Sequence, residues 1–202
     1  DIPGLLLPTL VEEKYGFADL SGRIIILPQF DYADRFSDGL ARVRLGDKEG
    51  YVDLSGKVVI PIRFSGAREF SEGLAAVQLE KNWGFIDKIG TVVIPFQFDG
   101  ASSFSEQVAT VFVDGKIKLI DKKGQVFMDI SQKYQWIGSF HDGLASARSN
   151  SLYGYINKSG QLVIDEKWKD VTDFSEGFAG IQVGEQWGFI DTKGQVVIQP
   201  IY

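Results

Sequence analysis

Apolar positions along this chain alternate with polar ones over short stretches, and the alternation restarts at regular intervals. Leu74-Ala75-Ala76-Val77 opens one stretch, Trp83-Gly84-Phe85-Ile86 a second and Val92-Val93-Ile94 a third. Alternation of period two, rich in β-branched and aromatic residues, predicts strands. Between the second and third stretch lies Asp87-Lys88-Ile89-Gly90. An Asp or Asn side chain closes such a turn on its own backbone, and the Gly supplies the positive φ of the return. Three strands joined by short turns make an antiparallel meander.

The meander recurs. Aromatic-Gly-aromatic triplets place Gly at 16, 84, 154 and 188, with Glu49-Gly50-Tyr51 as a variant and a degenerate copy at Ile117-Lys118-Leu119. The spacing is 34 residues, apart from the step from 84 to 154, which contains the degenerate copy. The turn signal repeats as Asp19-Leu20-Ser21-Gly22, Asp53-Leu54-Ser55-Gly56, Asp121-Lys122-Lys123-Gly124, Asn157-Lys158-Ser159-Gly160 and Asp191-Thr192-Lys193-Gly194. After each meander comes a loop of about ten residues carrying two aromatics six apart, as in Phe64 and Phe70 or Tyr134 and Phe140, then Ser-acid-Gly and the next strand. These loops have a helix-like spacing but are too short for more than one turn. The chain is therefore expected to be one all-β repeat domain over residues 1–202. Its six units are expected at about 4–30, 39–64, 73–98, 107–134, 143–168 and 177–202. A three-stranded unit buries no face alone, so neighbours must stack.

The residues at 83–95, Trp-Gly-Phe-Ile-Asp-x-x-Gly-x-Val-Val-Ile-Pro, followed by Phe98, Ala101, Phe104 and Ser105-Glu106, resemble the bacterial WG (or KWG) repeat. The resemblance runs from about Gly4 to Tyr202 and departs in the fourth copy, which loses the Trp-Gly pair and gains two residues between Met128 and Tyr134. It implies a tandem-array protein with a binding or scaffolding role and lends no catalytic residues. The variable copy number of the family favours units stacked as an open β-solenoid-like array. The whole number of copies would also suit a closed six-bladed propeller-like ring.

Composition narrows the function classes. The net charge is −6 and the 21 Lys and Arg are scattered, so the basic footprint of a nucleic-acid binder is missing. No run of about 18 apolar residues predicts a membrane span. The absence of Cys removes disulfides, thiolate metal sites and a Cys nucleophile. The start at Asp1, the missing Cys and the turn-rich β build lean towards a secreted or periplasmic protein, though a trimmed N-terminus explains Asp1 equally.

The repeated residues then divide between packing and chemistry. Trp83, Trp187, Phe85 and Phe189 are expected to form the core between units, with a sugar- or peptide-binding groove as the alternative. The turn Asp residues offer one carboxylate each, too few for a calcium loop. The Ser-acid-Gly acids (Asp38, Glu72, Glu106, Asp142 and Glu176) are expected to bond loop N–H groups, with cation or basic-partner binding as the alternative. A glycosidase pair requires two carboxyls in distinct environments, which repeat-equivalent acids lack. One His, no Gly-x-Ser-x-Gly elbow and no phosphate loop complete the expectation of a protein that is no enzyme and carries no cofactor or metal. The break in the pattern draws the functional expectation. Lys116, Lys118, Lys122 and Lys123 gather charge in the fourth copy, and Tyr134, Trp136 and His141 follow. Lys118, Lys122, Lys123, Tyr134, Trp136 and His141 are the expected docking surface for another protein, with exposed Tyr and Trp as anchors. The alternative is drift in an interior repeat. A carbohydrate-binding module at the cell surface is the rival function.

Overall fold

The computed structural model describes residues 5–201. Asp1, Gly4 and Tyr202, on which the expected N-terminus and the outer limits of the first and sixth units fall, lie outside the described residues. The chain is all-β: six sheets of three or four antiparallel strands, none closed into a barrel, with no helix among the described residues. It divides into two compact halves, Asp1–Ser103 and Phe104–Tyr202.

The second copy shows how the sequence builds a sheet. Leu40–Leu45, Lys48–Asp53 and Val58–Phe64 form the meander, with Leu40 opposite Asp53 and Tyr51 opposite Ile60. Asp53 Oδ1 accepts the N–H groups of Ser55 (2.9 Å) and Lys57 (3.1 Å), and Asp19, Asp87, Asp121, Asn157 and Asp191 do the same in their own turns. Turn chemistry accounts for this repeated residue. The loops differ from expectation by containing strand. Tyr32–Ala33, Gly66–Ala67, Trp136–Ile137 and Asp170–Val171 each pair with the strand that follows in their own copy, so the segment between sheets is extended rather than helical.

Alternation gives each sheet a large face and a small one. In the first half, Leu6, Phe17, Ile26 and Phe30 of copy one pack on Ala41, Val43 and Val52 of copy two. Leu40, Tyr51, Ile60 and Phe64 of copy two pack on Ala75, Val77 and Ile86 of copy three. The second half repeats this. Val108, Ile117, Leu119, Ile130 and Tyr134 meet Ala145, Ala147 and Ile156, and Leu144, Tyr155, Ile164 and Trp168 meet Ala179, Ile181 and Ile190. The loop aromatic seals these contacts, Phe36 at 4.8 Å from Phe17, Phe70 at 4.8 Å from Tyr51 and Phe174 at 4.7 Å from Tyr155, while Phe140 packs in one cluster with Leu119.

The triplet glycine has a steric cause. A Cβ on Gly16 would lie 2.3 Å from the Ile26 carbonyl oxygen, and one on Gly84 2.7 Å from that of Ile94. The third strand passes this close because it bulges: Tyr15 and Phe17, two apart, face Phe30 and Ile26, four apart. Pro28, Pro61 and Pro95 sit in the bulge, where no ladder N–H is required. Copy four carries Lys118 at this position and lacks that bulge. Its pairs run Lys118–Asp129 and Leu119–Met128, and its third strand ends after four residues, Val126–Asp129. Copy four thus lacks the glycine, the bulge and the end of the strand together.

Replacing Gly84 by Ala forces a Cβ against backbone that no rotamer change can move. The expected cost is about 1–3 kcal/mol, as for overpacking in a core. Urea unfolding of the G84A variant checks it, and a midpoint equal to the parent's would show that the bulge yields freely.

Candidate functional site

Each Ser-acid-Gly motif is a two-residue hairpin turn. Ser37 N–H donates to Leu40 O at 2.9 Å and Leu40 N–H to Ser37 O at 3.0 Å, with φ of +53° at Asp38 and +85° at Gly39. Two positive φ values favour Asp-Gly here. This conformation turns the acid towards the next copy. The Asp38 carboxylate accepts Gly73 N–H at 2.7 Å, Asp142 accepts Gly177 N–H at 2.7 Å, and both Glu106 oxygens accept Gly143 N–H at 3.0 and 3.1 Å. The serine works beside it, Ser37 Oγ donating to Phe70 O at 2.6 Å and Ser105 Oγ to Phe140 O at 2.5 Å. The acids bond backbone N–H as expected, but across copies rather than inside their own loop.

Glu106 carries more. Lys158 Nζ lies 2.9 Å from its Oε2 and donates to its backbone carbonyl at 2.9 Å. Burial pushes its carboxyl pKa up, but Lys158, Gly143 N–H and the nearby His141 outweigh that and hold it below the ordinary value.

The structure separates the six residues expected to form a docking surface. Lys118 lies near Asp129, which the Ser131 hydroxyl, Lys118 and Lys116 together hold below its ordinary pKa. Lys122 and Lys123 occupy the turn beyond the far end of the strand Lys116–Ile120, roughly 13 Å along it at 3.3 Å per residue. The lysines therefore form two sites. Tyr134 is buried, a correction to its expected role as an exposed anchor. It fills the place of Phe30, Phe64 and Trp168 and packs with Ile130 and Phe140, so its ring is committed to the core.

Trp136 and His141 do reach the surface. Trp136 is 39% exposed and stands edge-on to Tyr153, with ring centroids 5.4 Å apart, and the Arg148 guanidinium lies 5.1 Å from the Tyr153 ring. The space above nearby Gly138 is filled: a Cβ there would lie 2.4 Å from Ser146 Oγ, 2.9 Å from Asp173 Oδ1 and 3.2 Å from Trp136 Cη2, so the glycine lets these three side chains close together. His141 Nε2 lies 3.9 Å from Asp173 Oδ2, and the buried Ser146 donates to Asp173 Oδ1 at 3.4 Å. His141 stands where other copies carry the ladder serine. The surface thus consists of Trp136, Tyr153, Arg148, Asp173 and His141. Tyr153, Arg148 and Asp173 were missed; the signal for Arg148 was its place across from the triplet aromatic in its hairpin.

The other aromatics divide by position. Phe17, Tyr51, Phe85 and Tyr155, third in their triplets, are buried, as the core reading expects for Phe85. Trp83 and Trp187, first in theirs, are only half-buried, a correction to the core reading. The Arg68 guanidinium lies 5.4 Å from the Trp83 ring, and Trp187 borders Gly180. Phe189 is 40% exposed, also against expectation, since among the described residues no sheet packs on its face.

The sequence pattern of the WG containing repeat matches residues 15–48, 50–83, 83–116, 119–153, 153–187 and 187–202. No curated protein matches the sequence. Among solved structures, a eukaryotic initiation factor is similar at a TM-score of 0.66 and 13% identity, over 98% of this chain and 63% of that one. The extracellular domain of BT4673 from B. thetaiotaomicron is similar at 0.56 and 12%, over 97% and 33%. PorZ, a bacterial surface component of the type-IX secretion system of Porphyromonas gingivalis, is similar at 0.51 and 11%, over 93% and 30%. The chain spans less than two thirds of each of these three, and at such identities the likeness shows the fold alone. No helix among the described residues is long and apolar enough to cross a membrane.

The depressed pKa of Glu106 gives a test of the ladder. A lowered folded pKa contributes stability that is present above the ordinary value of 4.5 and is lost as pH falls through the lower folded value. Thermal melts between pH 7 and 3 should show the E106Q variant losing less stability on acidification than the parent. Parallel curves would show that the carboxylate gains nothing from Lys158 and Gly143.

Proposed function

Since the chain belongs to the family of proteins built from the WG containing repeat, we propose that it is a non-catalytic interaction module that docks another protein through the surface around Trp136. The observation that carries this reading is the exposure of Trp136 on a braced support. Its ring stands against Tyr153, its strand pairs Trp136 with Arg148, and the Asp173 carboxylate and the His141 ring place polar groups nearby. An exposed aromatic held rigid, with polar groups around it, is the composition of an interface hot spot. The short strand that follows the degenerate copy makes this surface unlike its repeats, because Trp136 in copy five occupies the position of Gly66 in copy three and Asp170 in copy six. The absence of catalysis is part of the proposal. It is supported by the engagement of the Asp38, Glu106 and Asp142 carboxylates with backbone N–H groups of the next copy, which commits them to a structural ladder.

The rival reading, a carbohydrate-binding module, is favoured by the half-buried Trp83 and Trp187. Aromatic faces left partly open suit the apolar faces of sugar rings.

Affinity capture from native extract with mass spectrometry, beside a glycan array, separates the two. Trp136→Ala should weaken capture of the protein partner by about 30-fold, the scale of a 2 kcal/mol hot spot, with an unchanged melting temperature. Tyr134→Ala should instead lower the melting temperature, since the ring is core. Undiminished capture by the W136A variant would sink the reading, and glycan binding lost on changing Trp83 or Trp187 would install its rival.

A further inference from the structure

The sixth sheet presents to solvent the large face that is covered in every other complete contact within the halves. Leu40, Tyr51 and Ile60 are at most 7% exposed, and so are Leu144, Tyr155 and Ile164. Their counterparts Phe178, Phe189 and Ile198 are 49%, 40% and 43% exposed, and with Val197 they line a shallow depression. What covers this face elsewhere is known in detail. It is a loop aromatic at 4.7–4.8 Å from the triplet aromatic, followed by the small face of the next sheet.

The polar half of the socket is also in place. Ser175 N–H donates to Phe178 O at 2.8 Å and Phe178 N–H to Ser175 O at 3.0 Å, and φ at Glu176 is +52°. This is the turn from which Ser37 reaches the carbonyl of Phe70 and Asp38 the N–H of Gly73. Among the described residues Ser175 Oγ and the Glu176 carboxylate make no corresponding bonds.

We propose that the outer face of the sixth sheet is a docking site for the loop and first strand of a further WG-type repeat. Its Phe enters over Phe189, its Phe carbonyl accepts from Ser175 Oγ, and its turn Gly N–H donates to Glu176. The two apolar and polar requirements fall on one short segment, Phe-Ser-acid-Gly, which a general apolar partner does not satisfy. This surface is independent of the one around Trp136, so either proposal can fail without the other.

The probe is a labelled peptide of residues 64–79 of this chain, which contains Ala67, Phe70, Gly73, Ala75 and Val77. Fluorescence anisotropy against the full chain should show saturable binding. Phe70→Ala in the peptide and Val197→Asp in the protein should each weaken it at least about tenfold. Val197 is 47% exposed, so V197D should keep the parent's melting temperature, and Glu176→Gln supplies a second variant that leaves the apolar face intact. No binding up to about 1 mM, the weakest range of specific association, would overturn the proposal. Binding that the variants leave unchanged would do the same. Sedimentation that shows the chain pairing with itself, abolished by V197D while the peptide does not bind, would replace the further repeat by a second copy of the chain.

Discussion

Everything in this protein depends on the packing of one sheet's large face against the next sheet's small one. A three-stranded sheet of this length has too little apolar surface to hold itself together and needs a second layer. Tyr51, Ile60 and Phe64 are large because Ala75 and Val77 opposite them are small. Burying a side chain of the former kind contributes roughly 1.5–3 kcal/mol, and each interface buries several. The cross-copy hydrogen bonds of Asp38 and Ser37 contribute only about 1 kcal/mol each, so they set the alignment of one copy on the next rather than supplying most of the cohesion. The division of labour explains why the motif keeps both an apolar alternation and a polar turn.

The same constraint shows where the structure has room to differ. A triplet glycine is demanded wherever the third strand bulges over it, and copy four escapes the demand by dropping the bulge. Its third strand then stops early, and Ser131, bonded to both Ile117 N and Ile117 O, redirects the chain. Tyr134 still fills its core position, so the interface survives the change. Ile137 between Tyr134 and Phe140 is core as well, but Trp136 beside it and His141 just after Phe140 meet solvent. Departure from the repeat is tolerated on the outside of a loop and refused on its inside.

Much of the fold was readable because it is local. The Asp-x-x-Gly turns, the strand alternation and the six-residue spacing of loop aromatics each follow from neighbouring residues. Three things were not readable, all for want of the third dimension. Two-residue strands such as Gly66–Ala67 are too short to show a period. Trp83 shares a strand face with Phe85, so alternation alone predicts equal burial, and its place nearer the start of the strand Asn82–Asp87 leaves it half open. The acids' partners lie about 35 residues away, so Asp38 reads as a loop ligand when its hydrogen bond is a contact between copies. Of the proposed docking surface, the sequence singled out Trp136 and His141 but did not reveal that Arg148, Tyr153 and Asp173 lie beside them.

The central claim is that a copy has no core of its own and acquires one only from its neighbours. Residues 66–98, the complete four-stranded sheet of copy three, test it when made as an isolated polypeptide and heated under circular dichroism. The account predicts a featureless melt and amides that exchange at the rate of an unfolded chain. A cooperative transition with protected strand amides would contradict it, and would mean that the sheet is stable before anything covers it.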